Sequence, residues 1–378
     1  MKKILLVSYN HQNIKLADAI QNSRLVGLLS EEHIVTVVTR GDVNKIDDIV
    51  SIKSPNLKFV DRIIYKIFPF LFPVFSFDKF IWSIVASIKI GRLSKEFDNL
   101  LLTYEPYAVF IFQKLMRAKF KNCISVLYDP LSVNLYFPST KIARFLQERL
   151  ERKIINNSDK IILNNALTYK YYSSKYKVSD KFKCISMCSP ALPISNDNGK
   201  NLTSKRKMVF AGNIHGHRNL KYLNDVITII KQEYPLLKES LSIEFYGTYR
   251  DSDVNISKSN LDIIDFKGFC NQEELSKNLK KADAFLMIEA MEGCNYSLPS
   301  KVLDYLVYKK PIFAFTSRES AIYELLQPLG HVVCDNKSLD AMVNSFCDYF
   351  IKSKPLYITY DQSCFNETIL INYNSLLV

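Results

Sequence analysis

Short, unbroken apolar runs alternate with longer stretches whose apolar residues recur at helical spacing. Residues 4–8 (ILLVS), 34–39 (IVTVVT), 99–103 (NLLLT), 123–128 (CISVLY) and 160–163 (KIIL) predict buried strands. Between them, 13–29, 80–97, 106–117 and 139–157 predict helices. A second series follows, with strands at 208–211, 242–246, 263–266, 284–288, 312–315 and 331–334. Its helices are predicted at 219–234, 272–282, 299–310, 322–327 and 339–351. Strands and helices that alternate in this way predict an α/β protein built on parallel sheets.

The polar stretch 189–207 (SPALPISNDNGKNLTSKRK) interrupts the alternation. It has two prolines, a glycine and no hydrophobic period, so it reads as a linker. The predicted organisation is a first domain over 1–188, the linker, and a second domain over 208–358. The closing segment, 359–378, reads as a helix that packs back on the first domain. The most apolar region, 63–90, is broken by prolines and charges and makes a poor membrane span. Its front part, 63–80, is aromatic and proline-rich. It reads either as an elbow inside the domain or as a segment that dips into a membrane interface.

Composition narrows the partners. The chain has 378 residues, 48% of them hydrophobic, which is enough for two domains with sizeable cores. Lys and Arg outnumber Asp and Glu by 50 to 38, for a net charge of +12, which suits an acidic partner such as nucleotide phosphate or anionic lipid. The helix at 139–157 is basic, with Lys141, Arg144, Arg149, Arg152 and Lys153. With the Tyr-rich stretch after it, it reads either as a solvated face or as a surface for anionic lipid. These basic residues form no groove-reading or aromatic-interleaved motif, so nucleic acid is not expected as a partner. The eight cysteines are scattered without zinc spacing and read as reduced thiols in the cytoplasm.

The densest candidate chemistry lies in 284–315, read as strand, polar loop, helix and strand. A loop that runs from a parallel strand into a helix can bind an anion through unpaired N–H groups. Ser297, Leu298, Pro299 and Ser300 form that entry. Lys301 adds a cation, and Asp304 lies one turn further on, where it can meet sugar hydroxyls. Upstream, the glycine turn Gly212–Asn213 is followed by Arg218, whose guanidinium suits a diphosphate but also fits a plain helix start. In the first domain, His11 follows the first strand, either as a solvated loop residue or as a catalyst. Asp129 follows the strand at 123–128 and reads either as a turn-former or as a carboxylate for acceptor chemistry. Asp251-Ser-Asp253 lies in a polar loop and reads as a turn, so no metal site is expected.

Several motifs, taken in order, resemble the GT-B glycosyltransferases, in particular bacterial sugar transferases that build surface polysaccharides. Met208-Val-Phe-Ala-Gly-Asn-Ile214 is similar to the first strand and glycine loop of their nucleotide-binding domain. Glu244-Phe-Tyr-Gly247 is similar to their strand ending in glycine. The run Leu298-Pro-Ser-Lys-Val-Leu-Asp-Tyr-Leu306, followed by Lys310-Pro-Ile312, is similar to their L-P-S-K-L-x-E-Y-L…G-K-P segment. Arg24 to Leu29, His33 to Thr39, Phe97-Asp98 and Tyr128-Asp129-Pro130 resemble first-domain segments of the same group.

The resemblance implies two Rossmann-like domains whose parallel sheets face a central cleft. It also implies transfer of a sugar from a nucleotide-diphosphate donor to an acceptor hydroxyl, with retention and without a metal. No cofactor is implied beyond the donor itself. The acceptor would be a saccharide or a lipid-linked saccharide, and the enzyme cytoplasmic, on the inner face of the membrane. Donor contacts are implied for Gly212, Asn213, Arg218, Gly247, Ser297, Leu298, Pro299, Ser300 and Lys301, with Asp304 at the ribose. In the family, a glutamate stands at the position of Asp304 and a glycine at that of Lys309. The earlier family glutamate has no counterpart at Tyr296, so Glu292 and Asn295 become the sugar-side candidates. A sugar-nucleotide epimerase or hydrolase and a non-catalytic partner subunit are the alternatives.

Overall fold

The computed structural model describes residues 1–11, 16–41, 48–54, 57–67, 76–103, 107–135, 140–190, 205–214, 218, 220–235, 237–249, 254–291, 293–335, 339–352, 360 and 362–377. The chain forms two compact units. One comprises Met1–Ser189 with Ser363–Val378, and the other Pro190–Gln362.

The first unit is built on strands β1 (Lys3–Val7), β2 (Ile34–Arg40), β3 (Ile49–Ile52), β4 (Asn99–Thr103), β5 (Asn122–Leu127), β6 (Lys160–Leu163) and β7 (Phe182–Cys184). They pair in the order β3-β2-β1-β4-β5-β6-β7, every pair parallel. β4 and β5 are buried along their whole length, which explains their unbroken apolar runs. The connecting helices are α1 (Ala17–Leu29), α2 (Lys58–Ile67), α3 (Phe77–Leu93), α4 (Gln113–Arg117), α5 (Lys141–Asn157) and α6 (Ala166–Tyr176). Thr140 caps α5 by accepting from the Ala143 N–H at 3.2 Å, and Asn165 caps α6 by accepting from Thr168 at 2.8 Å. The core gathers Leu5, Val7, Trp82, Leu100, Leu102, Phe110, Ile154 and Tyr172. No helix among the described residues is long and apolar enough to cross a membrane.

The second unit contains β8 (Arg206–Ala211), α7 (Lys221–Glu233), α8 (Leu237–Ser240), β9 (Leu241–Tyr246), β10 (Ile264–Gly268), α9 (Gln272–Lys281) and β11 (Ala284–Ile288). It continues with α10 (Lys301–Leu306), β12 (Ile312–Phe315), α11 (Ala321–Leu326), β13 (Val332–Cys334) and α12 (Leu339–Phe346). The strand order is β10-β9-β8-β11-β12-β13, again parallel. β11 and β12 are fully buried. The direction of winding reverses between β8 and β11. In an open parallel sheet such a reversal leaves a crevice at the carboxyl ends of the strands.

The last helix, α13 (Gln362–Asn374), belongs to the first unit. Asn122 donates to the Leu376 carbonyl at 2.7 Å, and Asn374 donates to Glu32 at 2.7 Å. Two short edge strands, β3 and β7, were not expected from the sequence. The helix expected over 299–310 is regular only over Lys301–Leu306. It then closes through a turn in which Lys309 takes a left-handed φ of 52°.

Candidate functional site

The carboxyl ends of β8, β9 and β11 converge on one point of the second unit. β8 ends at Ala211, whose N–H donates to the Tyr305 hydroxyl at 2.7 Å. Tyr305 is buried on α10 and stacks on Phe285 of β11, with ring centres 4.5 Å apart. One side chain thus ties the end of β8 to both α10 and β11. The next residue, Gly212, has φ +150°, and Gly247, at the end of β9, has φ +141°. These left-handed backbones favour glycine, and the two turns touch. A Cβ on Gly247 would lie 2.0 Å from the Gly212 carbonyl oxygen, and a Cβ on Gly212 would lie 2.7 Å from Lys301 Nζ. Asn213 Oδ1 clamps the second turn by accepting from Thr248 N at 3.2 Å and Thr248 Oγ1 at 2.9 Å.

Lys301 opens α10 and extends back to the glycine turn, where its ammonium lies 4.3 Å from the centre of the Phe210 ring. The nitrogen is buried and has no hydrogen-bond partner among the described residues. Burial, with the charge of Arg218 adding to it, brings its pKa down to about 7 against the opposing pull of Glu289. Arg218 donates through Nε and Nη2 to one oxygen of Glu289, at 2.7 and 2.6 Å. Glu289 is fully buried directly after β11, and its N–H donates to the Phe315 carbonyl at 2.9 Å. Arg218 is therefore a held residue rather than a loose one at a helix start, and its charge is felt by Lys301 at the glycine turn. A bound diphosphate would supply the acceptor oxygens that Lys301 lacks.

The loop between β11 and α10 is ordered by its own bonds. Asn295 donates its N–H to the Glu319 carbonyl at 2.8 Å and accepts from Ala321 at 2.9 Å, which fixes it beside α11. Its side-chain oxygen accepts the Ser297 N–H at 3.1 Å, so that N–H is not open to a ligand. Its Nδ2 is buried without a hydrogen-bond partner among the described residues. Leu298 is buried, whereas Pro299 and Ser300 are half-buried. Ser300 makes no side-chain cap to α10. Asp304 lies half-buried one turn into the helix. Glu292 falls outside the described residues.

The remaining two sequence candidates belong to the first unit. His11 follows β1 at that sheet's own reversal point, between β1 and β4. It is half-buried: its Nδ1 is buried without a hydrogen-bond partner among the described residues, and burial lowers its pKa. Asp129 is half-buried just after β5. The chain beyond it is held by Glu151, which accepts from Leu131 N at 2.8 Å, Ser132 N at 3.2 Å and Tyr172 at 2.9 Å. Glu289, Tyr305 and Glu151 were not singled out from the sequence. A carboxylate immediately after an apolar strand was the one signal available for Glu289.

Two parallel α/β units of this construction are those of the GT-B fold, and solved structures of that fold align with this chain along its length. Sucrose-phosphate synthase from Thermosynechococcus elongatus aligns over all of this chain and 95% of its own, with TM-score 0.61 and 12% identity. HepE of Anabaena, solved with UDP, aligns over 100% of both chains with TM-score 0.62 and 11% identity. A UDP-forming α,α-trehalose-phosphate synthase from Burkholderia xenovorans, solved with glucose-6-phosphate, covers all of this chain and 97% of its own, with TM-score 0.66 and 10% identity. No protein-family model matches the sequence, and no curated protein does so significantly.

Proposed function

We propose that the chain is a glycosyltransferase that takes its sugar from a nucleotide diphosphate and binds that donor at the reversal point of the second sheet. The observation that carries this reading is the buried ammonium of Lys301, without a hydrogen-bond partner among the described residues and held against Gly212 beside the Arg218–Glu289 pair. An isolated buried cation costs several kcal/mol unless something pairs with it, and this one stands where a sheet of this kind takes its ligand. The UDP bound to HepE supports a nucleotide as the probe. Lys301 and Arg218 would hold the leaving diphosphate and stabilise the charge that grows on it. Asp304 would meet the ribose, and Asn295 the sugar.

The acceptor in this reading is a saccharide hydroxyl, carried on a lipid at the inner membrane face during synthesis of a surface polysaccharide. His11 and Asp129 of the first unit are the candidates for orienting it. Transfer proceeds with retention and without a metal. The motif order and the basic first unit support this finer reading.

The test is thermal melting of the full chain with and without UDP, since a ligand that binds only the folded state raises Tm by mass action. We expect a rise with UDP that Lys301→Ala abolishes while the protein stays folded. A panel of UDP-sugars with a saccharide acceptor then reads transfer directly, with and without a chelator. No shift with any nucleoside diphosphate would overturn the donor site. Release of sugar at equal rates with and without acceptor would favour a hydrolase.

A further inference from the structure

Helix α5 is apolar on two faces. One stripe, with Ala143, Leu150, Ile154 and Ile155, is buried in the first unit. The outward stripe begins with Ile142, Phe145 and Leu146, at i, i+3 and i+4, and these are 59%, 61% and 36% exposed. It continues at i+7 and i+11 with Arg149 and Lys153, and Lys141 and Arg144 flank it, all exposed. The two carboxylates of the helix do not neutralise this face. Glu151 is buried in its tyrosine and backbone bonds, and Glu148 pairs with Lys175 at 3.0 Å. Helix α4 packs beside α5 and adds Leu115, 69% exposed, next to the exposed Lys114.

Single exposed apolar residues are ordinary on a soluble surface, but a Phe between an Ile and a Leu on one stripe is not. We propose that the outward face of α5 docks on a bilayer containing anionic lipid. Ile142, Phe145 and Leu146 enter the boundary between headgroups and acyl chains, and the Lys and Arg side chains meet lipid phosphates. A second copy of the chain fits less well, because a two-fold contact would set these basic residues against each other. The surface deepens the membrane-facing reading above and rests on it for its purpose. It is tested without donor or acceptor, so its failure is distinct from a failure of sugar transfer.

The experiment is flotation of the full chain with phosphatidylcholine vesicles, with and without phosphatidylglycerol, at low and high salt. We expect binding that needs phosphatidylglycerol and weakens with salt. Phe145→Ser and Arg149→Glu should each lower the partition constant about tenfold, with Tm and the UDP-induced shift unchanged. No binding to either vesicle overturns the proposal. Binding that both variants leave undiminished also overturns it for α5, while the membrane reading survives. Loss of a dimer in Phe145→Ser, with vesicle binding intact, would assign the face to self-association instead.

Discussion

The ammonium of Lys301 lies 4.3 Å from the centre of the Phe210 ring and has no hydrogen-bond acceptor among the described residues. The ring face offers about 1–2 kcal/mol to a desolvated cation, less than the several kcal/mol its burial costs. The site is thus destabilised until an anion arrives. Lys301→Met keeps the volume of the stem and removes the charge. Its unliganded form should melt higher than the wild type, and its affinity for UDP should fall by about 1.5–3 kcal/mol, the range for a charge-assisted hydrogen bond. Calorimetry and melting curves on the same preparation check both arms. A variant that melts lower and binds UDP equally well would remove Lys301 from the site.

The lowered pKa of Lys301 makes a second prediction, and its sign is set by the proton count. The group titrates at about 7 in the folded chain, against 10.5 as the ordinary value. Between these pH values the unfolded chain holds more protons, so this residue makes stability rise with pH. Its penalty is complete below the lower value and gone above the upper one. A diphosphate favours the charged form, so binding above the lower value takes up a proton. At moderately alkaline pH, the enthalpy of UDP binding should therefore depend on the ionisation enthalpy of the buffer, and the affinity should fall as pH rises. Lys301→Met should remove its share of both effects. A binding enthalpy identical in phosphate and Tris would refute the assignment.

The parts of this site differ in how far they could be read from sequence. β11 and β12 were legible to the residue because they are central, fully buried and unbroken in their apolar runs. β7 was not, because its Lys183 and Cys184 are exposed and only pairing with β6 makes it a strand. Lys301 was visible as a residue type in a promising place, but its burial was not. Arg218 and Glu289 lie 71 residues apart and meet only because the sheet reverses its winding between β8 and β11. Two terminal lysines and the stop at Pro311 carried the predicted α10 through to Lys310, since these signals cannot separate a last helical turn from a left-handed exit. The burial of His11 Nδ1 was hidden too, because it depends on contacts that only the fold makes.

The two glycine turns should respond unequally to a methyl group. In Gly247→Ala the new Cβ meets the Gly212 carbonyl oxygen at 2.0 Å, and backbone has nowhere to go. In Gly212→Ala it meets Lys301 Nζ at 2.7 Å, the mobile end of a side chain. Both positions have a backbone that an L side chain rarely adopts, at a cost of about 1–3 kcal/mol. Gly247→Ala adds an overpacking cost of about 1–3 kcal/mol or more. Gly247→Ala should thus lose clearly more stability in urea, whereas Gly212→Ala should stay folded and lose UDP affinity as its lysine is displaced. Equal losses of stability would mean that the two turns do not touch in solution.

Lys309 offers the opposite experiment. Its φ is 52°, and its N–H donates to the Leu306 carbonyl at 3.0 Å, so a lysine occupies the left-handed exit of α10 where glycine is favoured. Glycine would relieve about 1–2 kcal/mol of steric cost. Against that, it would give the unfolded chain extra freedom worth roughly 0.5–1 kcal/mol. The first effect is the larger, so Lys309→Gly should stabilise the protein by about 0.5–1 kcal/mol, and Lys309→Ala should gain nothing. Lys177, with φ 54° at the end of α6, is the matching site in the first unit and should give the same pattern. Urea midpoints of the four variants decide the matter. Because Lys309 is exposed and stands eight residues beyond Lys301, the Tm rise on adding UDP should be the same in Lys309→Gly as in the wild type. A loss of stability in Lys309→Gly would show that its lysine, not its backbone, holds the turn.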